Sequence, residues 1–149
     1  MINPFKIICS TKLIANDFEK EFAINYLKEY VDKNKGYDIT TTSDSLVFKV
    51  SIFGWSWDIF SQIEKGIFKL DNNALIFEGS MYRIFFCFAL VCLMVCFETR
   101  DIDTIAFLFV GPCVLNWVIA SVRYKTLVET LTKEIFAQYQ KKFPEKLNP

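Results

Sequence analysis

Hydrophobic and polar positions repeat in three different ways along the chain, and each way predicts a different kind of element. Phe18, Phe22, Tyr26 and Tyr30 recur every four residues, joined by Ala23 and Leu27. That spacing lays one apolar stripe along an amphipathic helix. Asn16 and Asp17 offer its N-cap, Glu19 stands in the capping-box position relative to Asn16, and Gly36, just past Asn34, offers its stop.

Past Tyr37 the period drops to two. Leu46, Phe48, Val50 and Ile52 alternate with Ser45, Lys49 and Ser51, as in a half-buried strand, and Thr42-Ser43-Asp44-Ser45 predicts a turn before it. "GIFKL" and "ALIFEG" flank Asp71-Asn72-Asn73, where Asn tolerates positive φ, and predict a hairpin. "PFKIICSTKLIA" predicts a first strand around Phe5 to Cys9. Residues 1–80 therefore read as an α+β domain with a small antiparallel sheet and one amphipathic helix.

The third pattern is the absence of charge. Ile84 to Phe97 is an apolar run between Arg83 and Glu98, and Thr104 to Val122 contains no charged residue at all. At 1.5 Å per residue the second run is about 28 Å long, close to the hydrocarbon thickness of a bilayer; the first is about 21 Å, and longer if Tyr82 and Arg83 lie at the interface. Tyr82-Arg83 before the first run mirrors Arg123-Tyr124 after the second, so two antiparallel helices would bring an aromatic and basic collar to one level. The connecting "ETRDID" is acidic, whereas Lys65, Lys69, Lys125 and Lys133 flank the pair on the other side. The expectation is a transmembrane hairpin over 81–123, with spans at about 82–98 and 104–122. By the positive-inside rule both termini are cytoplasmic, in a bacterial inner membrane. A buried hairpin in a soluble oligomer is the alternative, but so short a chain has little protein with which to cover it.

Within the spans, Ala89, Cys92 and Cys96 line one side of the first helix, and Ala106, Cys113 and Ala120 repeat at seven on the second. Small side chains let helices approach closely in lipid. Asn116, the strongly polar residue deep in the second run, fits a role as interhelical glue, and Gly111-Pro112 predicts a kink. Beyond Val122 a new stripe of Leu127, Val128, Leu131, Ile135, Phe136 and Tyr139 predicts an amphipathic helix over the C-terminal 124–149 region. This helix would cover the sheet or pair with another copy, and Lys133, Lys141 and Lys142 could meet anionic lipid.

Composition adds mainly exclusions. The chain has 149 residues, 17 basic and 17 acidic, and no histidine. The charge balance gives no reason to expect nucleic acid, and without His the commonest general base and metal ligand are missing. The five cysteines match no zinc spacing and read as small apolar filler, so no metal or cofactor is expected. Trp55 and Trp57 read first as packing residues and second as interface anchors. No catalytic or nucleotide motif stands out. The expectation is a non-enzymatic membrane protein whose partners are the bilayer and its own copies or another membrane protein; the alternative is a membrane-perturbing effector or small channel gated by the domain.

Overall fold

The computed structural model describes residues 6–12, 20–51, 60, 62–71, 74–99 and 102–144; side chains at 83, 84, 88, 92, 95–99 and 102–109 are outside the description. The elements run β1 (Lys6–Lys12), α1 (Lys20–Lys33), β2 (Gly36–Thr41), β3 (Ser45–Val50), β4 (Lys65–Asp71), β5 (Ala74–Ser80), α2 (Tyr82–Thr99) and α3 (Ile102–Lys142). The fold is α+β: one antiparallel sheet of five strands, ordered β1-β5-β4-β3-β2, with a long C-terminal helix.

The period-two segments make the sheet because alternate side chains share a face. Leu46, Phe48, Val50, Phe68, Leu70, Leu75, Phe77 and Ile7 are buried on one face, while Lys49, Ile8 and Lys65 point away from it. Thr42 closes the β2–β3 turn through its backbone N–H, which donates to the Ser45 carbonyl at 2.8 Å, and through side-chain bonds to Ser45. Asp71 pairs with Ala74, which sets the register of the β4–β5 hairpin.

Both covering helices lie on the apolar face, α1 over β2 and β3, and the C-terminal half of α3 over β1 and β5. Ala23, Ile24, Leu27 and Val31 are the buried residues of α1. Of the expected apolar stripe, Ala23 and Leu27 are buried as its spacing predicts and Phe18 lies outside the described residues, while Phe22, Tyr26 and Tyr30 are only partly buried and form the seam with α3 and Phe60. Phe22 meets Tyr139 edge-on at 5.5 Å, and the Tyr30 and Phe60 rings cross at 6.3 Å. Aromatic residues suit this position because their edges bridge two packed helices while the smaller aliphatic side chains let α1 settle on the sheet.

The stop of α1 differs from the glycine reading. Lys35, at φ 63°, carries the left-handed turn, and Gly36 has no positive φ. Gly36 is required by space instead, since a Cβ there would lie 2.2 Å from Val31 Cγ1. Asn34 caps the helix by donating from Nδ2 to the Tyr30 carbonyl at 2.7 Å.

The third pattern gives two helices, joined through 100–101. Chain direction places the start of α2 at the end of β5, with Met81 buried between them. α3 is continuous for 41 residues, about 60 Å, through Pro112, which donates no backbone hydrogen bond. One helix thus serves as the returning arm of the hairpin and as the cover of the sheet, so the boundary expected at 123 and 124 falls inside it. Leu127, Val128, Leu131, Ile135 and Tyr139 are buried as their spacing predicts, and the Thr132 hydroxyl is satisfied by the Val128 carbonyl at 2.8 Å. Among the described residues no helix is long and apolar enough to cross a membrane, so the two-span arrangement is not a feature the fold establishes.

Candidate functional site: the apolar hairpin and its root

The feature that the core does not account for is the surface of the hairpin. On α2, Phe86 is 66% exposed and Met94 74%, with Leu90, Val91 and Leu93 also exposed. On α3, Val110, Val114, Leu115, Val118, Ile119 and Val122 are exposed as well. These positions are not a stripe. Val114, Leu115, Val118 and Ile119 sweep a broad arc of α3, and Leu90, Val91, Leu93 and Met94 do the same on α2. Isolated exposed apolar side chains are ordinary, whereas a contiguous surface of them marks an interaction site.

The small residues expected to line the hairpin differ in burial. Cys113 and Ala120 are buried and Ala89 is half-buried. The side chains of Cys92, Cys96 and Ala106 lie outside the described residues. Ala120 belongs to the sheet–helix core rather than to a helix–helix face alone, because α3 at that level already packs on the domain.

Asn116 is half-buried at the root of the hairpin. Its Oδ1 accepts from Gln62 Nε2 at 3.3 Å, so it ties α3 to the segment leading into β4, where sequence reasoning had expected a bond between the two helices. The amide pair is one-armed: Gln62 Oε1 and Asn116 Nδ2 are buried without partners, as is the indole Nε1 of neighbouring Trp117. Nothing in the sequence around Gln62 marks it as a partner for Asn116, since the two lie far apart along the chain.

The collar residues do not act as a set. Tyr82 is exposed as an interface anchor would be, and the Arg83 side chain is outside the description. Arg123 is half-buried. Tyr124 is wholly buried, its ring stacked on Phe77 at 5.0 Å, and burial pushes its phenol well above the ordinary tyrosine range. An anchor in headgroups must face outward; Tyr124 faces the sheet because α3 turns from hairpin arm to core helix at this turn. It is therefore a core residue. Trp55 and Trp57 lie outside the described residues. Cys9 contacts the Ser121 carbonyl at 3.8 Å, and burial raises its thiol pKa, which disfavours thiolate chemistry.

A concavity lies where α1 meets the end of α3. It is an open groove of about 960 Å³ between Phe22, Tyr26, Glu29, Ile39, Lys142 and Phe143. Beside it the Tyr26 hydroxyl donates to Glu134 Oε2 at 2.9 Å; burial and this bond push the phenol up to about 12. Among the described residues no group of three or more Cys, Asp or Glu side chains is placed to hold a metal ion. No protein-family model matches the chain, and neither the curated proteins nor the solved structures contain a match.

Proposed function

We propose that the chain is a membrane-anchored, non-enzymatic interaction protein, whose α2–α3 hairpin lies in the bilayer and holds the α+β domain at the cytoplasmic surface. The observation that carries this reading is the broad arc of exposed large apolar side chains on each hairpin helix. A soluble helix that packs on one side is apolar on one face, whereas these helices present apolar groups away from each other and away from the domain. The sequence is charge-free from Ile84 to Phe97 and from Thr104 to Val122, with the charged Glu98, Arg100, Asp101 and Asp103 between the two runs.

Trp55 and Trp57 fit the reading as interface anchors, since Trp favours the headgroup level. The open groove beside Tyr26 gives the domain a place for a protein partner.

A second reading is an oligomer outside the membrane, in which copies cover one another's hairpins. It is favoured by the finding that no helix among the described residues is long and apolar enough to cross a membrane. Fractionation separates the two. The proposed reading expects the full chain to stay in the membrane pellet at alkaline pH and to need detergent for extraction. Release into the aqueous fraction as a discrete oligomer would replace it with the second reading. A membrane-potential dye recorded during induced expression tests the channel alternative, which requires depolarisation.

A further inference from the structure

We propose that the end of the sheet from which α2 departs is a binding surface for the headgroups of anionic phospholipids, formed by Lys6, Lys49 and Lys65. The proposal rests on the bilayer reading of the hairpin.

Strand register carries it. Tyr37 pairs with Lys49, Lys49 with Lys65, Lys65 with Ser80, and Ser80 with Lys6. Residues directly opposite on neighbouring strands share a face, so Tyr37, Lys49, Lys65, Ser80 and Lys6 form one row across all five strands. With strands about 4.8 Å apart the row is about 19 Å wide. It lies on the face away from the core, and Ser80 is two residues before Tyr82, the first residue of α2. The row therefore sits where the polar domain gives way to the apolar hairpin. Tyr37 and Tyr82 are both exposed at this level, as aromatic residues at a lipid interface are.

Lys49 opposite Lys65 is an unfavourable pair by itself, because like charges directly across a sheet repel. The acids nearby offset this only in part. Asp38 holds Lys49 at 2.6 Å, Glu78 holds Lys6 at 2.6 Å and Lys69 at 2.8 Å, and Glu64 stands beside Lys65. Lys35, one residue before Gly36, adds positive charge at the same end. The opposite end of the sheet is mixed, with Lys12 against Asp44 and Asp71. A phosphate-bearing surface is the occupant this arrangement fits, since flexible lysine stems reach outward while their charge remains in the headgroup layer. The tail lysines are excluded from it. Lys133 and Lys142 lie about 16 and 30 Å beyond Val122 along α3.

The test uses the full chain reconstituted into vesicles with spin-labelled phosphatidylglycerol or phosphatidylcholine, reading the fraction of each lipid held immobile. A lysine near an anionic surface contributes roughly five-fold in partition. The wild type is expected to prefer phosphatidylglycerol by about that factor, to lose the preference in molar salt, and to lose it in K6Q/K49Q/K65Q. K12Q/K133Q/K141Q, with the same charge change elsewhere, should keep it. Lys65→Gln alone, at an exposed side chain, should lower the preference without disturbing the fold and serves if the triple variant does not fold. Immobilised lipid with no headgroup preference in the wild type, or an equal loss in the control variant, overturns the proposal while leaving the bilayer reading intact. No immobilised lipid of either kind removes the bilayer reading and this proposal together.

Discussion

Gly66→Ala is the substitution whose cost follows most directly from the packing. Gly66 sits on the core face of β4, paired with Phe48 on one side and Gly79 on the other. The Phe48 ring lies across it: an added Cβ would be 2.2 Å from Cζ, 2.5 Å from Cε1 and 3.0 Å from Cε2. Carbon atoms rest at about 3.5–4.0 Å, so the ring would have to move by more than an ångström. It has nowhere to go, because it is fully buried, with the Phe60 ring 4.8 Å away and the Phe68 ring stacked at 5.9 Å. Overpacking of this kind costs about 1–3 kcal/mol. Alanine would regain about 0.4–1 kcal/mol by restricting the unfolded chain, since Gly66 has no positive φ. Overpacking wins. Thermal melting of the full chain, followed by near-ultraviolet circular dichroism, should show a lower midpoint, on the order of 4–8 °C for each kcal/mol in a unit of about 100 residues. Phe48→Leu should destabilise alone by leaving a cavity, yet partly rescue Gly66→Ala, giving a coupling of about 1 kcal/mol in the double-mutant cycle. A Gly66→Ala protein that melts at or above the wild type, or effects that simply add, would refute the reasoning.

Other expectations follow from named contacts. Asn116→Leu should lower stability by about 1–3 kcal/mol, because it leaves the Gln62 amide buried without its partner; an unchanged melt would return Asn116 to a role between helices, read by self-association. Hydrogen bonds from Lys6 and then Lys69 hold the Glu78 carboxyl below the usual carboxylate range. Its contribution is therefore present above pH 4.5 and lost as pH falls through its lowered pKa, so Glu78→Gln should flatten the acid limb of a stability–pH curve; an unaltered limb counts against the pairing. Tyr26, with its phenol raised to about 12, favours the fold below pH 10 and loses that contribution as pH rises through its folded pKa. Difference absorbance near 295 nm should show Tyr26 among several late-titrating tyrosines, Tyr124 being another, and Tyr26→Phe should remove one late step; an unchanged late titration in that variant would contradict the bond to Glu134.

The sequence by itself determined most of the elements and much of the burial. Period-two alternation located β3, the turn residues between "GIFKL" and "ALIFEG" located the β4–β5 hairpin, and the spacing of Leu127, Leu131, Ile135 and Tyr139 gave the buried face of the last helix, because a side chain's face within one element depends only on that element's geometry. β2 has no such alternation and was decided by its pairing with β3. It also located the two apolar runs that become α2 and α3. Which partner each face meets was decided by the tertiary structure. The α1 aromatics read as a core stripe, yet packing turned them toward α3, since the sheet accepts the smaller Ala23, Ile24 and Leu27 more closely. Gly36 read as a left-handed stop, and its reason proved to be the nearness of Val31. Tyr124 read as half of an interface collar and lies stacked on Phe77, while a basic row at the end of the sheet is assembled from Lys6, Lys49 and Lys65. Those lysines sit on three strands, so no local window could join them. Register across a sheet is a long-range property, fixed only when the hydrophobic faces of all the strands settle on the same pair of helices.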